Sequence, residues 1–411
     1  MNEFYKIKSA TEVLFGDLEL LPNVNELFEF ELAYLEFSVL EKNIFLERTA
    51  YTKAYNNKFS KHFLMYSDLS EALSENRSTL TKEYFKNGQF STGYATHGLF
   101  PYRGKFHPQM IKGLLNIFNV KAGETVLDPM AGSGTTNIEA SLLGINSYAA
   151  DISPFCQLMI DTKYNSLNID IDLLENLKLN NKELFTFFSK GNILKQIEKV
   201  TNPEKEKIYK LALLAYLDAL GYSKRVKTSN HEQLFEKVLK RYFETVKNLS
   251  KNKYFDKSKL GKTIVLQNSD TLNIELPDNS VDCVITSPPY SFAIDYAEND
   301  KDQLEYLGYN TEELKHKMIG LKGKRKKDKL ENYFTDTDKY CFEISRVLKK
   351  SKYFAVIIGS NTNQTGGVRL EQNVINSAEK YNMKFVKSIV KQIKGMRNTM
   401  KEEYVLIFEK Q

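Results

Sequence analysis

From Thr125 onward, short apolar runs alternate with glycine turns and amphipathic stretches. Thr125-Val126-Leu127-Asp128 is an apolar run that ends in a carboxylate, and Ala131 to Thr136 form a turn. Asn137 to Leu143 read as a helix, and Ser147 to Ala150 are a second run that closes on Asp151. Strand, tight turn, helix and strand in that order make the βαβ unit of a doubly wound, parallel α/β sheet. Residues 155 to about 260 read mainly as helix, with Lys- and Glu-rich faces at Ile193–Val200 and Gln233–Val246. Strand signals resume at Thr263–Leu266, before Asp270, and at Val281–Ile285, which runs straight into Thr286-Ser287. Three further runs follow at Phe354–Ile358, Phe385–Val390 and Tyr404–Phe408. Upstream, a turn-rich stretch from His97 to Pro108 leads into a predicted helix over Gln109–Asn119. The aromatic segment Phe28–Phe37 fits a helix and a strand equally well. No repeat of solenoid period is visible. The pattern divides the chain into an N-terminal extension, 1–95, and a main unit, 96–411.

Composition narrows the class. Hydrophobic residues make up 42% and charged residues 27% of 411 positions, as in a soluble globular protein with one large core or two smaller ones. There is no 18-residue apolar run and no basic-then-apolar leader, so the expectation is a cytoplasmic protein without a membrane partner. Cys156, Cys283 and Cys341 lie far apart without metal-ligand spacing. They read as small core residues, and no metal is expected. His62, His231 and His316 lack spaced partners and are expected at the surface. The net charge of +6 points only weakly to nucleic acid. Its distribution says more: Lys315, Lys317, Lys322, Lys324, Arg325, Lys326, Lys327 and Lys329 face only Asp328 within their own run.

Ligands of open α/β sheets bind beyond the carboxyl ends of the strands. Asp128 and the glycines after it sit at such an end. Gly132 and Gly134 allow a sharp turn and close approach of a ligand to the backbone, and the helix N-terminus that follows favours an anionic group. A nicotinamide dinucleotide is therefore the first alternative. Two details oppose it: Asp128 would repel a pyrophosphate but suits an ammonium, and the Gly-x-Gly spacing falls short of Gly-x-Gly-x-x-Gly. Asp151 could accept hydrogen bonds from ribose hydroxyls in either cofactor class.

Asp128-Pro129-Met130-Ala131-Gly132-Ser133-Gly134-Thr135 closely resembles the first motif of the amino-methyltransferases, with Met130 in place of the usual aromatic. Ser287-Pro288-Pro289-Tyr290 resembles the fourth motif of the site-specific DNA amino-methyltransferases. Taken alone, two prolines after a strand do no more than end its pairing. Here a hydroxyl, a stiff backbone and an aromatic ring are presented together. An exocyclic amine is a poor nucleophile because its lone pair is delocalised into the ring. Ser287 and the Pro288 carbonyl could accept its hydrogens, while Tyr290 stacks on a base swung out of the duplex. The Ser form resembles the N4-cytosine group, and N6-adenine enzymes more often carry Asp or Asn. C5-cytosine chemistry needs a Pro-Cys dipeptide, which the chain lacks.

The resemblance covers roughly 95–411 and implies a Rossmann-like S-adenosylmethionine-dependent methyltransferase fold. Its sheet would be mostly parallel and seven-stranded, with a C-terminal antiparallel strand and helical additions. It implies S-adenosyl-L-methionine as cofactor, held by Phe106, His107, residues 128–135, Asp151, Ile152 and Asp270. Ala293-Ile294-Asp295-Tyr296, after the strip, also looks familial. Double-stranded DNA is the implied partner, gripped by a basic loop at about 310–335 through Lys322, Lys324, Arg325, Lys326 and Lys327, with Arg103 and Lys105 as further candidates. A cognate restriction endonuclease would act in the same system. Residues 155–260 would be a helical insertion, and 1–95 a recognition or oligomerisation part. A transfer-RNA guanine-N2 or adenine amino-methyltransferase shares the motif order and stays open, as does a non-catalytic nucleic-acid-binding protein.

Overall fold

The computed structural model describes residues 14–66, 93–102, 104–177, 180–191, 193–225, 230–267, 270–290, 295–359, 365, 367–393 and 402–411. Arg103, Ala293 and Ile294 lie outside them.

The elements in chain order are β1 (Leu18–Leu20), α1 (Leu27–Val39), β2 (Thr52–Tyr55), β3 (Lys58–Phe59), α2 (Pro108–Ile117), β4 (Thr125–Asp128), α3 (Thr135–Leu142), β5 (Asn146–Ala149) and α4 (Pro154–Asn165). After these come α5 (Pro203–Arg225), α6 (His231–Lys251), β6 (Thr263–Val265), β7 (Val281–Thr286), α7 (Lys326–Val347), β8 (Leu348–Gly359), α8 (Leu370–Lys380), β9 (Met383–Gln392) and β10 (Glu402–Lys410), with shorter helices between them.

Seven strands form one sheet in the order β6-β5-β4-β7-β8-β10-β9. β4 to β8 pair in parallel, whereas β10 runs antiparallel to both β8 and β9. This is the mostly parallel sheet with a C-terminal antiparallel strand that the resemblance implies, and each strand falls on an apolar run legible in the sequence. β4 and β7 are central and nearly all buried. The order reverses beside β4, so the crevice for a ligand opens at the carboxyl ends of β4 and β7.

The N-terminal residues are not a separate body. Phe15, Phe28, Leu32, Phe45 and Tyr51 share one apolar core with Leu114 and Leu115 of α2 and with Ile389, Val405 and Ile407 of the sheet. Polar bonds reinforce the junction. Glu36, fully buried on α1, accepts from the Thr49 hydroxyl (2.7 Å), the Ala50 amide (2.8 Å) and the Asn116 side chain (2.6 Å). Packing is thus continuous across the residue-95 boundary that the sequence suggests.

The described residues between 155 and 260 are mainly helical, in line with the Lys- and Glu-rich faces. α5 and α6 pack on each other and on α4 around a second core that includes Phe155, Phe188, Leu214, Phe235 and Tyr242. Ala297, Leu304 and Leu314, from the segment after β7, complete that core. The insertion therefore buttresses the segment that follows the Ser-Pro-Pro-Tyr strip. The three cysteines are buried, as expected. His62 corrects its surface expectation: it is 1% exposed and its Nδ1 lies 3.1 Å from the Lys112 ammonium. His231 is half-buried in the insertion and His316 is exposed.

Candidate active site

The turn after β4 is built by its two left-handed glycines, Gly132 (φ +51°) and Gly134 (φ +78°). A Cβ on Gly132 would meet the Tyr102 ring at 3.3 Å, and one on Gly134 would meet Ile160 at 3.1 Å. Both positions therefore need glycine for conformation and for space. The Asp151 carboxylate at the end of β5 clasps the turn, accepting from the Gly132 amide (2.8 Å) with one oxygen and from the Ser153 amide (2.8 Å) with the other. Burial pushes the Asp151 carboxyl up, against the effect of those two amides.

Asp128 ties this turn to the strip. Its Oδ1 accepts from the Thr286 hydroxyl (2.7 Å) and the Met130 amide (3.2 Å). Its Oδ2 is buried and has no hydrogen-bond partner among the described residues. Burial raises the Asp128 carboxyl to about 7, with the Thr286 bond the largest opposing effect. Thr286 is fully buried and directly precedes Ser287, so one short hydrogen bond fixes the start of the strip against the floor of the crevice.

One cavity brings most of the expected residues together. Its lining includes Phe106, Pro129, Met130, Ala131, Gly132, Ser133, Thr135, Asp151, Ile152, Asp270, Ser287 and Pro289. Asp128 and Gly134 lie beneath it as supports and do not line it. His107 is half-buried at the N-cap of α2, its imidazole lowered to about 4 by burial, and it too lies outside the lining. Pro288 is buried behind the strip. Tyr290 is not among the cavity-lining residues: its hydroxyl donates to Glu403 Oε1 of β10 (2.5 Å), whose other oxygen pairs with Lys391 of β9 (2.9 Å).

Sequence reasoning missed part of the wall. Tyr102 and Tyr296 stack face to face with centroids 6.3 Å apart. They line the cavity with Asp300, Lys317, Met318, Ile319 and Leu321. Tyr296 belonged to a segment with a familial look, but nothing in local pattern marks Asp300 or Met318, which the chain carries back to the crevice only in three dimensions.

The basic run is less uniform than expected. Residues 316–325 form a loop, but Thr311–Lys315 are helical and α7 begins at Lys326. Lys322 pairs with Asp336 (2.8 Å), a carboxylate on α7 that the sequence pattern did not set against it, while Arg325 pairs with Asp328 (2.8 Å) and Lys327 with Glu331 (3.8 Å). Lys324, Arg325, Lys326 and Lys327 are exposed, and none of the five expected DNA-contacting cations lines the cavity. Lys105 donates to the His97 carbonyl (2.8 Å) beside it. Among the described residues no cluster of His, Cys, Asp or Glu has the makings of a metal site, and no helix is long and apolar enough to cross a membrane.

The lining suits a cationic nucleoside better than a dinucleotide. Three carboxylates, two lysines (Lys105 and Lys317) and apolar side chains face the cavity, and an unpartnered carboxylate oxygen lies under its floor. A pyrophosphate would find repulsion here, whereas an ammonium, a sulfonium and a ribose diol find acceptors.

Comparison with known proteins agrees. Residues 99–209 match the RMKL-like methyltransferase domain, and residues 281–411 match the DNA methylase model. A type II methyltransferase of Methanocaldococcus jannaschii is 32% identical over 38% of this chain and 28% of its own length. One from Geobacillus stearothermophilus is 24% identical over 60% of each chain. A transfer-RNA (guanine(10)-N2)-dimethyltransferase of Methanothermobacter thermautotrophicus is 42% identical over 13% of this chain and 16% of its own. The chain thus spans less than two thirds of each of these relatives. A Thermus thermophilus TrmN crystal structure aligns over 75% of this chain and 50% of its own, with 12% identity and a TM-score of 0.35.

Strand order and site define a Rossmann-like methyltransferase, the class whose cofactor is S-adenosylmethionine. Within that class, residues 281–411 match the DNA methylase model, and the chain is similar to type II methyltransferases.

Proposed function

We propose that the chain transfers a methyl group from S-adenosylmethionine to the exocyclic amine of a base turned out of duplex DNA. The acceptor would be N4 of cytosine, and the chain would be the cytoplasmic modification partner of a restriction endonuclease. The observation that carries the reading is the junction of the two motifs: Ser287 and Pro289 close the same cavity whose floor is the 129–135 turn, and Thr286 is bonded to Asp128.

Bound cofactor would supply an electrophilic methyl on a sulfonium. The chain's own residues do the rest. Asp151, Asp270 and the glycine turn hold the nucleoside, while Phe106 and Met130 exclude water. Ser287 Oγ and the Pro288 carbonyl accept the amine's hydrogens, so that the nitrogen lone pair faces the methyl. Tyr290, anchored at its hydroxyl by Glu403, offers its ring to the displaced base. Stacking of about 1–3 kcal/mol per base offsets part of an unpairing cost of a few kcal/mol. The exposed cations 324–327 follow directly on Leu321 at the cavity wall and would grip the flanking phosphates. A serine at the head of the strip and the absence of Pro-Cys support cytosine N4. The type II relatives support DNA as the substrate.

The transfer-RNA reading is supported by the local likeness to a transfer-RNA (guanine(10)-N2)-dimethyltransferase, 42% identical over 13% of this chain. Labelled cofactor offered to duplex DNA and to transfer RNA, followed by nucleoside analysis, separates the readings. N4-methylcytosine in DNA is expected. N6-methyladenine would overturn the base assignment, and label in RNA alone would overturn the DNA assignment.

A further inference from the structure

Among the described residues, Asp300 is the one cavity-lining carboxylate whose side chain has no hydrogen-bond or ion-pair partner. It is 8% exposed, at the junction of the short helices Tyr296–Asn299 and Lys301–Tyr306. Its backbone is fully used: the amide donates to the Tyr296 carbonyl and its carbonyl accepts from Leu304. Its side chain is not. Among the described residues it accepts no hydrogen bond and forms no ion pair, while Asp151 accepts from two backbone amides and Asp270 from the Leu272 amide (3.0 Å). A buried carboxylate without partners is expensive. The carboxyl is pushed up to about 7 by burial and then by the charge of Asp151. Such a group persists where a ligand supplies what the protein withholds.

The ligand proposed above carries a net positive charge before methyl transfer and none afterwards, because the sulfonium becomes a thioether. We propose that Asp300 is a cofactor-binding residue that makes the cavity prefer the cationic methyl donor over its uncharged product, so that transfer itself weakens the hold on the spent nucleoside. Asp300 feels the charge of Asp151, while Tyr102, Cys156 and Tyr296 feel the charge of Asp300. Lys317 lines the same cavity. Asp151 already spends its charge on the glycine turn, so Asp300 is the carboxylate most able to respond to the ligand. The inference rests on the S-adenosylmethionine reading of this cavity.

The test uses equilibrium binding to the full chain, without turnover, of sinefungin (a cationic analogue bearing an amine in place of the sulfonium) and S-adenosylhomocysteine. Asp300→Asn should lower the sinefungin-to-S-adenosylhomocysteine affinity ratio about tenfold, equivalent to about 1.4 kcal/mol, and Asp300→Glu should keep most of it. Equal losses for both ligands, or no loss, would overturn the proposal while leaving the cofactor reading intact. Failure of the unaltered chain to bind either ligand would instead overturn the cofactor reading, and the inference with it. The melting temperature of Asp300→Asn should not fall, since the variant removes an unpartnered buried charge, so a folding defect does not confound the comparison.

Discussion

Single residues in this site trade stability for readiness. Asp128 holds its proton to about pH 7 in the folded chain, whereas an unfolded carboxyl releases it near 3.9. Folding therefore takes up a proton between those values, and this residue's contribution to stability declines as pH rises through that window. Asp128→Asn removes the decline. It should unfold at a higher urea concentration than the unaltered chain at pH 8, by on the order of 2 kcal/mol, and the gain should shrink towards pH 5. A gain independent of pH would show that burial does not raise the Asp128 carboxyl in the folded chain. The same variant should bind cofactor less well, because the orphan Oδ2 becomes a donor. Ser287→Ala makes the complementary case: methyl transfer should fall by about 10²-fold or more, as for loss of one positioned hydrogen-bonding group, while binding of S-adenosylhomocysteine stays within twofold. Full activity in this variant would remove the strip's proposed role.

At the scale of elements, what could be read in advance followed from how completely each segment's pattern reflects one environment. All seven strands of the main sheet were legible because each is an apolar run bounded by turn residues. Segment Phe28–Phe37 was not, and the reason is visible in α1. Glu29 and Glu36 point inward with Phe28 and Leu32, so the polar positions break the helical stripe that periodicity relies on. Glu36 is satisfied by partners far away in sequence, such as Asn116, whereas Glu29 caps its own helix by accepting from the Asn25 and Glu26 amides. Glu36→Gln would place an amide among donors and should cost about 3 kcal/mol in chemical denaturation. A cost under about 0.5 kcal/mol would mean that the junction of α1 with α2 rests on apolar packing alone. Within the site, the motifs were legible and the far wall was not. Tyr102, Asp300 and Met318 gain their meaning from the fold of the insertion, which delivers them to a crevice far away in sequence.

Taken whole, the molecule sets a run of exposed cations beside the cavity. Lys324, Lys326 and Lys327 project from the start of α7, and the chain runs from them through Leu321 to the cavity wall. If they grip phosphates, replacing all three with alanine should weaken duplex binding and flatten the plot of log affinity against log salt by about 2–3. Binding of the isolated nucleoside cofactor should not change. An unaltered salt slope would move the DNA-contacting face elsewhere. The pairing of Lys322 with Asp336 already excludes one expected cation from that count, and only the fold could show it.

The placement of β10 bears on how the protein comes into being. β10 follows β9 in the chain yet lies between β9 and β8, hydrogen-bonded to both. During synthesis the ribosome therefore releases β8 and β9 before the strand that separates them. Until it arrives, β8 shows an open, apolar edge with Phe354, Val356 and Ile358 along it. Such an edge invites pairing with another nascent chain. The same strand carries Glu403, the anchor for the Tyr290 hydroxyl, so Tyr290 is not fixed in place until that edge has been sealed.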